Sequence, residues 1–110
     1  MKALKPIRSN SALLQVLGSS KPKLRKAILK AVDPNVINLL SECSLNVLEG
    51  NVKLKPCVKR ELSKYKGSLR SLTANTSLAK KRRVLIQKGG FLPALLGSVL
   101  SGLLGTLLSR

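Results

Sequence analysis

Tyr65 and Phe91 are the only aromatic side chains in 110 residues. Any core must therefore come from Leu, Ile, Val and Ala, which fill thin helical packing better than the interior of a β-sandwich. At this length there is room for one small domain and its tails, not for two separate cores. An all-α chain is the expectation: a small bundle of three to four short amphipathic helices, a C-terminal hydrophobic helix and a flexible N-terminal arm.

The order of residues supports that division. Residues 1–20 contain Pro6, Gly18 and several Ser and Asn, and read as a flexible basic arm with a short turn near Ala12–Leu17. A basic helical body over 21–88 follows. Leu24, Ala27, Ile28, Ala31 and Val32 recur at helical spacing and predict one apolar stripe, with Lys23, Arg25, Lys26 and Lys30 behind it. Asp33-Pro34 has the chemistry of a helix start, since Asp accepts from orphan N–H groups and Pro is tolerated at the first position. From there to Glu49, Val36, Ile37, Leu39, Leu40, Cys43, Val47 and Leu48 make a face broad enough to be the centre of the core. Gly50-Asn51 stops this helix and Pro56 restarts one carrying Val58, Leu62, Tyr65, Leu69 and Leu72, with Gly67 as its weak point. Ser77 caps a last short helix, Leu78–Gln87.

Residues 89–110 read differently, as a Gly-Gly hinge and a hydrophobic helix. The stretch 91–108 (FLPALLGSVLSGLLGTLL) carries no charge. As a helix it would span roughly 27 Å at about 1.5 Å per residue, marginal for a bilayer core. Gly97, Ser101 and Gly105 lie four apart, a small-residue face that allows close helix packing and, through the tail, a homo-oligomer. The body offers little spare apolar surface to cover such a helix, so a membrane-active tail is favoured over a buried one.

The formal net charge is +17, and only Asp33, Glu42, Glu49 and Glu61 oppose it. A charge of that size repels itself in the folded state and calls for a polyanionic partner, either nucleic acid or an anionic membrane. The candidate contacts are Lys23, Arg25, Lys26 and Lys30; Lys59, Arg60, Lys64, Lys66 and Arg70; and Lys80, Lys81, Arg82, Arg83 and Lys88. Such side chains neutralise phosphates whatever the base sequence, and the lack of stacking aromatics favours the duplex backbone over single strands. The Lys80–Arg83 run also fits a nuclear-import signal.

An enzyme is not expected. The chain has no His, and its carboxylates form neither an acid–base pair nor a metal cage, so no cofactor or metal is expected either. Cys43 and Cys57 fall short of a zinc set; they read as small apolar residues, with pairing open in an oxidising compartment. The N-terminus lacks an apolar run long enough for a secretory signal.

The order basic run, Gly-Gly, apolar tail (KKRRVLIQKGGFLPALLGSVLSGLLGTLL) resembles the C-terminal part of the adenovirus core-peptide precursor family called pre-X, or mu, and the related short basic proteins of adintoviruses and Polinton (Maverick) elements. The resemblance covers residues 80–108. It implies a non-enzymatic, DNA-condensing core protein of a virus or virus-like mobile element, found in the virion or host nucleus. It implies double-stranded DNA contacts by Lys80, Lys81, Arg82, Arg83 and Lys88, and cutting by a viral cysteine protease after Gly89-Gly90. Gln87 stands where the adenovirus site favours an aliphatic residue. The alternative expectation is a membrane-anchored or membrane-disrupting protein whose basic body binds anionic lipid.

Overall fold

A computed structural model describes residues 4–50 and 52–100. The described residues form eight α-helices and no strand: α1 Leu4–Ser9, α2 Ser11–Ser19, α3 Pro22–Ala31, α4 Pro34–Leu48, α5 Pro56–Ser63, α6 Lys66–Thr73, α7 Leu78–Lys88 and α8 Leu92–Val99. A 3-10 turn, Gly89–Phe91, joins the last two.

Local chemistry sets several boundaries. Asp33 caps α4, its Oδ1 accepting from the Asn35 N–H at 2.8 Å, with Pro34 behind it in the first turn. Gly50 ends the same helix at φ +78°, a left-handed conformation that needs no β-carbon. Ser77 caps α7 by accepting from the Lys80 N–H at 3.2 Å.

Helix α4 is the centre of the bundle, packed against α6, α7 and α8. Ile37, Leu40 and Cys43 are fully buried, and Val36 and Leu39 nearly so. Buried hydroxyls are satisfied: Ser41 Oγ donates to the Leu72 carbonyl at 2.6 Å, tying α4 to the end of α6, and Ser44 Oγ donates to the Leu40 carbonyl at 2.9 Å. The outer strip of α4 is Asn35, Asn38, Glu42, Leu45 and Glu49, with no cation on it.

Four features differ from the sequence expectation. Residues 4–19 are not a loose arm; they form α1 and α2, and Ile7, Leu14 and Leu17 are fully buried. The helix expected across Val58–Leu72 is two helices, broken at Lys64-Tyr65 and not at Gly67. Helix α3 is rotated: Arg25 and Leu29 face inward, while Leu24 is 54% exposed and Ala27 and Ala31 lie outside. The fourth concerns the apolar segment.

The described part of that segment, residues 91–100, packs on the body. Leu92, Leu95, Leu96 and Val99 are fully buried, against α2 above all and also α4 and α5. The cover that the body alone does not offer comes from α2. No helix among the described residues is long and apolar enough to cross a membrane. Gly97 is exposed on α8; Ser101 and Gly105 lie outside the described residues.

The α2–α8 crossing depends on a glycine. A β-carbon on Gly18 would stand 3.3 Å from Leu96 Cβ, whereas one on Gly67 would meet nothing within 4 Å. Replacing a helical glycine by alanine ordinarily gains up to about 1 kcal/mol, and overpacking costs about 1–3 kcal/mol. Gly67→Ala is therefore expected to raise stability and Gly18→Ala to lower it by about 1 kcal/mol. Urea unfolding of the two variants checks the opposite signs.

Candidate nucleic-acid interface

Helical periodicity decides which cations reach solvent. On α3, Lys23, Lys26 and Lys30 take the outer face. Helices α5 and α6 and the link between them expose Lys59, Arg60, Lys64, Lys66 and Arg70. On α7, Lys80, Arg83 and Lys88 are exposed. Every described Lys and Arg is exposed except Arg25, Lys81 and Arg82.

Those three were candidate contacts, and the fold draws them inward. Arg82 is half-buried and its Nη1 donates to the carbonyls of Leu29 at 2.7 Å and Val32 at 2.9 Å. It thus caps the C-terminal end of α3, where unpaired carbonyls and the negative pole favour a cation. Lys81 Nζ donates to Ser41 Oγ at 3.2 Å, and Ser41 Oγ in turn donates to the Leu72 carbonyl near the end of α6. Arg25, 8% exposed, lies against Gly89 just past the end of α7. Helices α3 and α7 run antiparallel, each placing an arginine from its first half at the other's C-terminal end.

Sequence reasoning did not single out Lys5, Arg8 and Lys21 as members of the surface, and all three are exposed, as are Lys53 and Lys55 at the start of the second basic cluster. Arg8 lies in the last turn of α1, an element not expected to exist. The signal available was their sign alone.

Opposing charge is sparse. The ion pair among the described residues is Lys64 Nζ to Glu61 Oε2 at 3.4 Å, on the surface of one turn. Asp33 is engaged as a helix cap. Exposed cations thus lie on α1, α3, α5, α6 and α7 and on the links after α2 and α4, on a body of 37 × 28 × 27 Å, while α2, α8 and the outer strip of α4 carry none. A surface of this kind attracts a polyanion from many orientations and releases counterions as it binds.

The Gly89-Gly90 pair sits in the 3-10 turn, Gly89 buried and Gly90 exposed, with Phe91 fully buried after it. Tyr65 packs on Phe91, ring centroids 5.9 Å apart and tilted by 54°. The two aromatic residues of the chain therefore brace this turn.

Among the described residues no group of three His, Cys, Asp or Glu side chains is placed to hold a metal. Both thiols are free; Cys57 is exposed and Cys43 buried. Burial, with a smaller contribution from Glu42, pushes the Cys43 thiol up to about 12. Because the thiolate is the reactive form, a disulfide reagent near pH 8 is expected to label one thiol per native chain and two in denaturant, by absorbance or mass.

No protein-family model, curated protein or solved structure matches this chain.

Proposed function

We propose that this chain is a non-enzymatic DNA-binding and DNA-condensing core protein of a virus or virus-like mobile element. The observation that carries the reading is the exposed cationic shell, in which carboxylates neutralise almost nothing. Its contacts are phosphates, so it takes double-stranded DNA without regard to sequence. The resemblance of residues 80–108 supplies the viral setting, with a viral cysteine protease acting after Gly90. Any cut there needs the 3-10 turn to open first, because a protease groove takes extended chain and Phe91 is buried.

Fluorescence anisotropy with duplexes of random sequence tests the reading. If six to ten phosphates are contacted, affinity is expected to fall by about 10³–10⁵ between 50 and 200 mM salt. Tight binding that ignores salt, or a strong preference for one sequence, overturns it.

A second reading rests on α3. Its exposed Leu24, Ala27 and Ala31 lie beside Lys23, Lys26 and Lys30, an arrangement that suits an anionic bilayer surface. On this reading the residues beyond Val99 deepen the attachment or associate with one another. Leu24→Asp is then expected to weaken flotation with phosphatidylglycerol vesicles by about tenfold while leaving duplex affinity nearly unchanged. Full chain that does not float with such vesicles removes this reading.

A further inference from the structure

Among the described residues, Arg25 is the one charged side chain that the fold buries. It makes no hydrogen bond or ion pair with any described residue. Among the described residues no side-chain nitrogen is both sealed from solvent and unpaired, so the unpaired nitrogens of Arg25 still reach water. The side chain is largely enclosed, and its unpaired guanidinium nitrogens keep a small share of solvent contact.

Its surroundings are specific. Arg25 Nε lies 3.8 Å from where a β-carbon of Gly89 would stand, and Leu29 and Leu92 close in at 3.9 and 3.4 Å from the same point. The guanidinium therefore runs along the bare face of a glycine between two leucines. On the next residue, the Tyr65 hydroxyl is 3.2 Å from the corresponding position of Gly90, and it too has no hydrogen-bond partner among the described residues. Lys88, exposed, immediately precedes the turn.

A guanidinium stripped of most of its water is costly unless hydrogen bonds replace that water. The negative pole of α7 offsets part of the charge, but no acceptor is offered. What fits an unpaired, forked donor is an oxyanion with two oxygens to share. The geometry points to a phosphate seat at the Gly89–Gly90 turn, with Arg25 as its principal ligand and Lys88 and the Tyr65 hydroxyl as flanking donors. This deepens the reading above by naming one phosphate contact that is built into the fold, and it rests on that reading for the duplex alone. Duplex DNA and a lipid headgroup both carry such a phosphate, and the chemistry at Arg25 is the same for either.

The test uses the full chain, labelled with ¹⁵N, titrated with inorganic phosphate against chloride at constant ionic strength. The Gly89 and Gly90 amides are expected to shift and saturate, while those of α5 and α6 drift weakly without saturating. Arg25→Gln is expected to abolish the saturable shift yet reduce duplex affinity by less than about threefold, since the other exposed cations remain. Arg25→Lys, which keeps charge but not the fork, is expected to weaken phosphate by about tenfold. Wild-type glycine amides that do not saturate overturn the seat, and that result depends on no variant folding. Duplex binding with a steep salt slope but an unmoved turn also rejects the seat while leaving the DNA reading intact. Saturable phosphate without duplex binding keeps the seat and rejects the DNA reading. A turn that responds to phosphatidylglycerol vesicles and not to duplex keeps the seat and assigns the phosphate to lipid.

Discussion

A chain ending at Gly90 is expected to lose its cooperative unfolding transition altogether. The deletion removes Leu92, Leu95, Leu96 and Val99, each fully buried, and uncovers Leu14 and Leu17 on α2. Fully burying such a side chain contributes about 1.5–3 kcal/mol, so four of them amount to roughly 6–12 kcal/mol. A domain of this size holds together by about 5–15 kcal/mol in total. The loss is comparable with the whole, and α1 and α2 should come away first. Circular dichroism melts of chains 1–110 and 1–90 decide it: a sharp transition in the first and a shallow slope in the second. Leu96→Ala in the full chain should fall between, costing about 2–5 kcal/mol. If the 1–90 chain melts as sharply as the full one, α8 is not part of the core.

The consequence for processing is direct. Cutting the peptide bond after Gly90 does not by itself detach the apolar segment, because packing still holds α8. A strand nick and a released tail are separate events, and the second needs energy from elsewhere.

Arg82→Met is expected to destabilise the fold by about 3 kcal/mol or more, whereas Arg83→Met should leave stability unchanged. Arg82 makes two charge-assisted hydrogen bonds, to the Leu29 and Val32 carbonyls, and each such bond is worth about 1.5–3 kcal/mol. Arg83 is exposed and free to meet a phosphate. Paired chemical unfolding and duplex-binding measurements should therefore separate two adjacent arginines: one moves the denaturation midpoint, the other the binding isotherm. Equal stabilities for the two variants would refute the capping role.

How much of this was legible follows from where each determinant lies. Asp33-Pro34, Gly50, Pro56 and Ser77 set helix boundaries through contacts a few residues long, and local pattern is sufficient to find them. Helices α1 and α2 have only six and nine residues, α2 starts without a side-chain cap, and Gly18 argues against a helix there. They exist because Ile7, Leu14 and Leu17 find cover elsewhere in the fold, a reason that periodicity does not contain. On α3 two stripes overlap: Leu24, Ala27, Ile28, Ala31 and Val32, or Arg25, Ile28, Leu29 and Val32. Hydropathy favours the first. The fold takes the second, with α7 supplying Arg82 for the end of α3 and receiving Arg25 at its own end. Which members of the Lys80–Arg83 run face solvent was likewise undecided until α7 had neighbours, although the sign of the surface was plain from charge alone.

The close crossing of α2 and α8 also sets a timetable. The two helices are far apart in sequence, so a loop of more than two thirds of the 110 residues must close before Gly18 meets Leu96. Loop closure is an entropic toll met before the contact returns anything, and such long-range pairings slow folding. During synthesis, α2 leaves the ribosome early and waits with Leu14 and Leu17 uncovered until α8 emerges. The nascent chain is sticky for that interval, and aggregation competes with folding most strongly before α8 covers α2.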